Sequence, residues 1–339
     1  MKVAWLLAVL CCTMVSAEIL FEENFSGPFD PANPNSQWFT SGLPPIPYVL
    51  PNGVSFNKCA ISNSDNQGSL SLNPVTRPSN MFPGMGWFSN ELCDLMPKAF
   101  YNPITVDVNQ TVSYSAKMAT QRGNINLQPF GSDSSDPISD PRFGTCGIIL
   151  YSPTMGVANA LFMTSSSIWS YHARPKYPWS NVPTNSNWKG FFNMKKIAHR
   201  GSHKFNELKI EYDRSTNTVR YIVDDKVKRT ITRVGSINQE DGINVAEYAY
   251  DINERVDTNV VELPDLMPIL ACLSQMDKTD PNDITSLTGL VNHYTPDEFF
   301  LKPSSWFSNT ANSANDQSLH EFGQTLEAQI RNVKIERCY

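Results

Sequence analysis

The chain has 339 residues, of which 40% are apolar, 11% aromatic and 18% charged, and its formal net charge is −6. This composition supports a sizeable core and excludes a disordered chain. No clustered run of Lys and Arg is present, so we expect no nucleic-acid partner. Beyond the N-terminus no apolar stretch approaches twenty residues, so we expect no membrane partner once the leader is removed.

The N-terminus has the pattern of a secretory signal peptide. Lys2 precedes an apolar run, and Val15-Ser16-Ala17 is a small-residue cleavage sequence. We therefore predict a cleaved leader over residues 1–17 and a secreted, extracellular domain over residues 18–339. The alternative is a short buried helix. An oxidising compartment permits disulfides and N-glycosylation.

Five cysteines remain after the leader, which is an odd number. At most two disulfides therefore form, one thiol is left, and spacing alone does not choose the pairing. No C-x-x-C pair is present, which argues against a zinc or redox motif. Asn24-Phe25-Ser26 and Asn109-Gln110-Thr111 are N-glycosylation sequons. The disulfide candidates are Cys59, Cys93, Cys146, Cys272 and Cys338.

Short alternating segments, punctuated by 24 prolines and 17 glycines, predict strands throughout the chain. The clearest unit is an antiparallel meander, in which polar turns separate segments of alternating apolar residues. The predicted strands, in chain order, are 19–25, 105–118, 146–151, the meander 207–233, 266–276 and 328–337.

The segment from about 239 to 324 is acidic and irregular, and we predict a loop-rich insertion there. Long loops in a compact domain are usually lids or binding loops. A closing strand that returns beside the first strand is typical of a jelly roll. We therefore predict an all-β fold, a two-sheet antiparallel jelly-roll sandwich with long loops, in a single domain.

Several motifs are similar to those of concanavalin-like lectin and glucanase sandwiches. Residues 21–26 with Trp38 resemble the opening strand, residues 208–229 the central hairpin, and residues 332–335 the closing strand. Further motifs occur in the same order in a little-characterised family of secreted concanavalin-like proteins. These are residues 47–53, 73–75, 128–131, 140–142 and 322–324.

The characterised secreted proteins that the chain resembles most are the luciferases of syllid fireworms. This resemblance implies an oxidoreductase of monooxygenase type that oxidises a small organic luciferin with molecular oxygen and emits light. It implies no bound metal or nucleotide cofactor, and it transfers no catalytic residue. The sequence likewise contains no P-loop, dinucleotide-binding glycine motif or nucleophile elbow.

A cofactor-free oxygenase needs a base, most often histidine, and a water-poor aromatic pocket. Strand alternation places Ser170, His172 and Arg174 on one face. We predict His172 as the base and Arg174 as the clamp for an anionic oxygen. The alternative is an ordinary core or surface role for both. The predicted substrate pocket consists of Trp169, Tyr171, Tyr177, Trp179 and Trp188.

The alternative function is a glycan-binding, lectin-like sandwich, in which Trp169, Trp179, Trp188 or Trp306 stacks on sugar rings. A structural protein of a secreted matrix is a third possibility. A retaining glycoside hydrolase needs two carboxylates about 5–5.5 Å apart. The strand motif E-x-D-x-E, which would place them, is absent. The nearest pattern, Glu207, Glu211 and Asp213, is more typical of a solvated strand face.

Metal binding has only weak candidates in this sequence. His199 and His203 are four residues apart, but no third ligand accompanies them. The Asp-rich stretch 133–140 resembles a solvated loop more than a calcium site. We therefore predict no resident metal.

Overall fold

The structure is a computed structural model, and it describes residues 17–26, 37–39, 60–65, 69–73, 91–100, 102–123, 138–139, 141, 145–174, 188–201, 203–236, 243–248, 255–256, 260–274 and 325–339. One short 3₁₀ helix, Lys98–Phe100, lies within these ranges. The strands are β1 (Ala17–Glu23), β2 (Trp38–Phe39), β3 (Ala60–Asp65), β4 (Ser69–Asn73), β5 (Glu91–Pro97), β6 (Ile104–Thr105), β7 (Thr111–Gly123), β8 (Thr145–Ser152), β9 (Val157–Met163), β10 (Ser167–Arg174), β11 (Trp188–His199), β12 (Asn206–Asp213), β13 (Thr218–Val223), β14 (Lys226–Ile231), β15 (Ile243–Tyr248), β16 (Arg255–Val256), β17 (Asp265–Ser274) and β18 (Thr325–Cys338).

These strands form two sheets that pack face to face. The eight-stranded sheet has the order β14-β13-β12-β7-β18-β4-β3, with β1 beside β18. The ten-stranded sheet has the order β15-β11-β10-β9-β8-β17-β5-β2, with β16 beside β11 and β6 beside β17. Every pairing is antiparallel except that of β11 with β16. The predicted all-β jelly-roll sandwich is confirmed.

The first and last strands are neighbours, as the sequence predicts. Strand β1 pairs with β18 from Ala17 opposite Cys338 to Glu23 opposite Val333. Strand β7 pairs with the other side of β18, and β4 lies on the same side of β18 as β1, further toward the start of that strand. The first and last strands therefore lie side by side within the eight-stranded sheet.

The predicted meander is present as β12, β13 and β14. Leu208, Ile210 and Tyr212 are fully buried, and they alternate with more exposed residues. Asp224 and Asp225 both have positive φ values, 48° and 60°, as the two central residues of a type I′ hairpin require. The alternating pattern and the polar turn thus produce the local structure together.

One predicted strand is interrupted. Strand β6 ends at Thr105, and a turn follows in which the Gln110 N–H donates to the Asp107 carbonyl at 3.0 Å. Strand β7 then begins at Thr111 and runs to Gly123. The Gln110 amide also bonds the Asp107 backbone N–H at 3.0 Å and the Asp107 carboxylate at 2.9 Å, so a side chain closes this turn.

A buried arginine ties the two sheets together. Arg200 Nη1 donates to the carbonyls of Thr120, on β7, and Thr164, after β9, both at 2.9 Å. Its Nη2 donates to the Lys204 carbonyl at 2.7 Å. Burial lowers the pKa of Arg200 to about 10, which leaves it charged at neutral pH. The charge is therefore solvated by backbone oxygens in place of water.

Two separate apolar clusters lie on the two faces of the ten-stranded sheet. The main core fills the space between the sheets and includes Ile148, Leu161, Leu270 and Tyr221. A second cluster lies on the opposite face of β8 and β17, and it consists of Met267, Ile269 and Ala271 with Ile149 and Tyr151 against them. No helix in the described ranges is long and apolar enough to cross a membrane.

Candidate functional site

Strand β10 carries most of the predicted site residues, and it divides them between two faces of the sheet. Ser170, His172 and Arg174 are buried on the face toward the eight-stranded sheet. Trp169 and Tyr171 lie on the other face. The alternation is as predicted, and it separates the predicted base from the predicted aromatic pocket by the thickness of the sheet.

His172 is fully buried, and both of its ring nitrogens have hydrogen-bond partners. Nε2 lies 3.2 Å from the Gly235 backbone nitrogen, which can only donate. Nδ1 lies 2.8 Å from Asn159 Oδ1. Nε2 therefore accepts, and Nδ1 carries the proton and donates it to the amide oxygen. This fixes one neutral tautomer.

The surroundings of His172 favour that neutral form. Burial, and then the positive charge of Arg229, lower the pKa of His172 to about 3. A cation near a buried imidazole makes a second positive charge costly. The ring is therefore neutral throughout the physiological pH range.

A polar network from the eight-stranded sheet surrounds this histidine. Tyr221 Oη lies 2.8 Å from the Tyr171 carbonyl and 3.1 Å from Asn159 Oδ1. Arg229 Nη1 donates to Ser170 Oγ at 3.0 Å, and its Nη2 donates to Asn193 Oδ1. The network thus fixes β10 to the opposite sheet. Asn159 Nδ2 is buried and has no hydrogen-bond partner among the described groups.

Arg174 is also an interior residue. It is 7% exposed, and its Nε donates to the Met155 carbonyl at 3.1 Å. Met155 lies in the turn between β8 and β9, so Arg174 supports that turn. The contacts of His172 and Arg174 are those of structural residues, and a base must present a nitrogen to its substrate. The prediction that they form a catalytic pair stays a prediction.

The other face of the same sheet carries an aromatic surface. We define the aromatic face as the outward-facing residues of β8, β9, β10 and β17. Its buried members, including Phe162 at 5% exposure, surround half-buried rings. The residues are Ile149, Tyr151, Ala160, Phe162, Trp169, Tyr171, Met267, Ile269 and Ala271.

Trp169 is the half-buried indole of this face. Its Nε1–H donates to the Ser139 carbonyl at 2.9 Å, which fixes the orientation of the ring. Across the strand pair it lies opposite Phe162 on β9 and Lys196 on β11. A fixed ring beside a lysine combines a stacking surface with a hydrogen-bond donor.

Two tyrosines extend this surface. The Tyr171 ring packs against Phe162 with centroids 5.8 Å apart, and burial raises its pKa well above the usual value. Burial and the negative charge of Asp265 raise the pKa of Tyr151 to about 12. Asp265 itself accepts hydrogen bonds from Ser152 Oγ at 2.7 Å and Thr154 Oγ1 at 2.6 Å. Both phenols are therefore neutral, and this carboxylate is held by hydroxyl groups.

The carboxylates of the strands that form and flank the aromatic face lie in β17 and β5, where Asp94 of β5 is opposite Ala271 of β17. The four adjacent strands β8, β9, β10 and β11 contain no Asp or Glu in their sequences. The carboxylates that come closest to the glucanase motif lie in the other sheet. Glu211 and Asp213 pair with Arg220 at 2.7 and 3.8 Å, and Glu207 is exposed. These are surface ion pairs.

The weak metal candidates do not share a strand face. His199 is the last residue of β11, and His203 lies in the following turn with a φ of 61°. Both are exposed, and β11 ends at His199. Within the described part of the chain, no group of three or more His, Cys, Asp or Glu is placed to hold a metal ion. Most of the stretch 133–140 lies outside it.

The bonding state of two cysteines is defined in the structure. Cys146 forms a disulfide, whereas the disulfide candidate Cys338 is a free thiol. In the strand register Cys272 lies opposite Cys146 on one side and Cys93 on the other. Cys59 lies outside the described residues.

The remaining predicted residues fall into three groups. Asn24 and Asn109, the two sequon asparagines, are exposed. Trp188 begins β11, opposite Arg255 of β16. The other predicted aromatic residues, Tyr177, Trp179 and Trp306, lie outside the described residues.

Several residues that surround His172 were not identified from sequence. Asn159 had a signal, because it is the single amide in the apolar strand VANALFM. Tyr221 and Arg229 lie 50 and 59 residues from their β10 partners, and no local pattern connects them. Gly235 has a φ of 71°, and a Cβ there would lie 2.3 Å from Val261 Cγ2. Glycine is therefore required where the backbone reaches His172.

Comparison with solved structures gives distant matches. The structure of LamAcat from Zobellia galactanivorans is 10% identical with a TM-score of 0.41, and the match covers 94% of this chain and 96% of that one. A Bacillus licheniformis β-glucanase is 11% identical with a TM-score of 0.41, covering 93% and 96%. A sialidase is 8% identical with a TM-score of 0.37; the match covers 88% of this chain and only 17% of the sialidase.

At these identities and TM-scores the matches carry no argument about activity. They also give the resemblance to syllid fireworm luciferases no support. Comparison with curated proteins found no match. A family profile, in contrast, matches residues 96–338, from the end of β5 to the end of β18. The chain therefore belongs to the family of unknown function DUF6081.

Proposed function

We propose that this protein is a secreted glycan-binding sandwich whose ligand stacks on the aromatic face. The observation that carries the proposal is Trp169, a half-buried indole with a fixed orientation beside Lys196. The C–H faces of sugar rings pack well on such a surface, and nearby donors bind the sugar hydroxyls. The predicted leader over residues 1–17 supports a secreted location.

Binding without cleavage is the better match to this face. Glycoside hydrolysis needs an acid and a nucleophile or base from a pair of carboxylates. Strands β8 to β11 supply neither, and Asp265 at the start of β17 is already bonded to Ser152 and Thr154. We therefore expect the glycan to be released unchanged.

A glycan array tests the proposal directly. The purified secreted protein should bind a defined subset of glycans, and Trp169→Ala should weaken binding of the best one by about tenfold or more. Trp169→Phe keeps a ring but removes the bond to Ser139, so we expect an intermediate loss. Tyr339→Ala is the matched control, because Tyr339 is 58% exposed and lies in the other sheet's C-terminal region. Unchanged binding by Trp169→Ala would refute the proposed site.

The luciferase-type oxidation is the second candidate, and one observation favours it. Phe162, Met267 and Ile269 are 5% exposed or less, so part of the aromatic face is dry, as an emitter of light requires. Oxygen uptake and photon counting with a panel of small aromatic substrates test it. Oxygen consumption that Tyr171→Phe or Phe162→Ala reduces, without any glycan binding, would select this candidate over the first.

A further inference from the structure

We propose that Asn24 and Asn109 both carry N-linked glycans, and that the order of strand pairing keeps both sequons open while the chain is made. They are the only N-x-S/T sequons in the sequence. The inference depends on the predicted leader, and it is independent of the ligand of the aromatic face. It assigns a modification to two surface turns that the proposed function does not use.

The turn at Asn24 points its asparagine to solvent and its central residue to the core. Asn24 is exposed, and its Oδ1 accepts the Ser26 backbone N–H at 3.0 Å. Phe25 between them is 1% exposed and packs on Trp38 with ring centroids 5.8 Å apart. The folded turn therefore holds the side chain of Asn24 outward, toward solvent.

The topology delays formation of this turn. The partner of β1 in the described structure is β18, the last strand of the chain. The Asn24 sequon therefore cannot be fixed by that pairing until residues 325–338 have been made. At about 5–20 residues per second, synthesis of the intervening ~300 residues takes roughly 15–60 s. An unfolded sequon is available to the transferase for that whole period.

Asn109 lies at the tip of the turn between β6 and β7. It is exposed, and its neighbour Val108 is 59% exposed. The Arg214 backbone N–H donates to the Gln110 carbonyl at 3.1 Å, so the base of this turn is completed by residues about 100 positions later. The delay here is roughly 5–20 s at the same rate of synthesis. We therefore expect occupancy at Asn24 to equal or exceed that at Asn109.

The modification is a group transfer from a lipid-linked oligosaccharide diphosphate. The side-chain Nδ2 loses one proton and forms a bond to the anomeric carbon of the first sugar. The bond between that carbon and the diphosphate oxygen breaks, and the lipid diphosphate leaves. No oxidant or reductant is needed.

Peptide mapping of the secreted full-length protein tests the inference. The chain, with its own leader, is expressed in animal cells, and the protein from the medium is treated with peptide N-glycosidase in ¹⁸O-water. We expect ¹⁸O-labelled aspartate at both Asn24 and Asn109 in most molecules. Asn217, which is followed by Thr218-Val219 and so is not in a sequon, should remain unlabelled.

Two variants separate loss of the sequon from loss of the fold. Ser26→Ala removes the sequon but keeps the backbone N–H that bonds Asn24, and it should abolish label at Asn24 alone. Asn109→Gln changes an exposed turn residue and should abolish label at 109 alone. A secreted protein without label at either position would overturn the proposal, as would a chain that stays in the cytosol. Higher occupancy at Asn109 than at Asn24 would overturn the timing argument.

Discussion

His172 makes the stability of the domain depend on pH, and His172→Gln should remove that part of the dependence. The folded-state pKa of His172 is about 3, below the ordinary value of 6.5. Between these values the unfolded chain binds more protons than the folded chain. The free energy of unfolding therefore falls as the pH drops below 6.5, and the loss is complete near pH 3.

The size of the effect follows from these two pKa values. At pH 5 the unfolded imidazole is almost fully protonated and the folded one is neutral, which costs the folded state about 2 kcal/mol relative to pH 7.5. His172→Gln lowers stability at neutral pH, because the Asn159 amide oxygen and the Gly235 N–H lose their hydrogen bonds to the imidazole ring. The variant has no titrating group at position 172. Its free energy of unfolding should therefore change less with pH than that of the wild type, by the same ~2 kcal/mol.

Urea unfolding at about pH 7.5 and about pH 5, followed by tryptophan fluorescence, measures both effects. The wild-type protein should lose ~2 kcal/mol more than His172→Gln between the two conditions. His199→Gln is the matched control, because His199 is exposed, and it should behave like the wild type. If the free energy of unfolding changed equally with pH in the wild type and in His172→Gln, the conclusion that the buried His172 ring is neutral would be wrong.

Four further substitutions test the structure of the sandwich. In Gly147→Ala the new Cβ would lie 1.8 Å from the Leu161 carbonyl oxygen, so thermal unfolding should show a loss of about 2 kcal/mol or more. Gly201→Ala, whose Cβ would have its nearest neighbour at 3.8 Å, should change stability by less than about 0.5 kcal/mol. Arg200→Lys removes the planar guanidinium, whose several N–H groups donate to backbone carbonyls of both sheets. Urea unfolding should show a loss of about 3 kcal/mol in the free energy of unfolding. Unchanged stability would contradict the role of Arg200 between the sheets. Cys338→Ser should abolish thiol labelling at position 338 and leave the melting temperature unchanged, whereas a large destabilisation would show that this thiol is needed for folding.

Local patterns predicted some strands of this fold, including β1, β8, the meander, β17 and β18, but not β3, β4, β5, β9, β11 or β15. Alternation in Leu208, Ile210 and Tyr212 predicted one meander strand, and its neighbours followed from polar turns. The strand 105–118 was predicted as continuous because the turn within it contains neither Gly nor Pro at its centre. The side chain of Gln110 closes that turn, and such a bond has no simple sequence signal.

The site was less predictable, because its character depends on contacts between sheets. Alternation placed His172 and Trp169 on opposite faces, but it did not show which face is enclosed. The contacts that enclose His172 come from Asn159, from Tyr221 through Asn159, and from Gly235, in three other parts of the chain. Pairing across layers is long-range, so only the assembled sandwich shows that both ring nitrogens of His172 have interior partners.

A crystal structure of the secreted protein with its best array ligand tests the central claim most directly. Our account predicts an intact sugar ring lying against the indole of Trp169, with Lys196 within hydrogen-bond distance of a hydroxyl. A sugar bound elsewhere on the domain, or cleaved at this face, would contradict it.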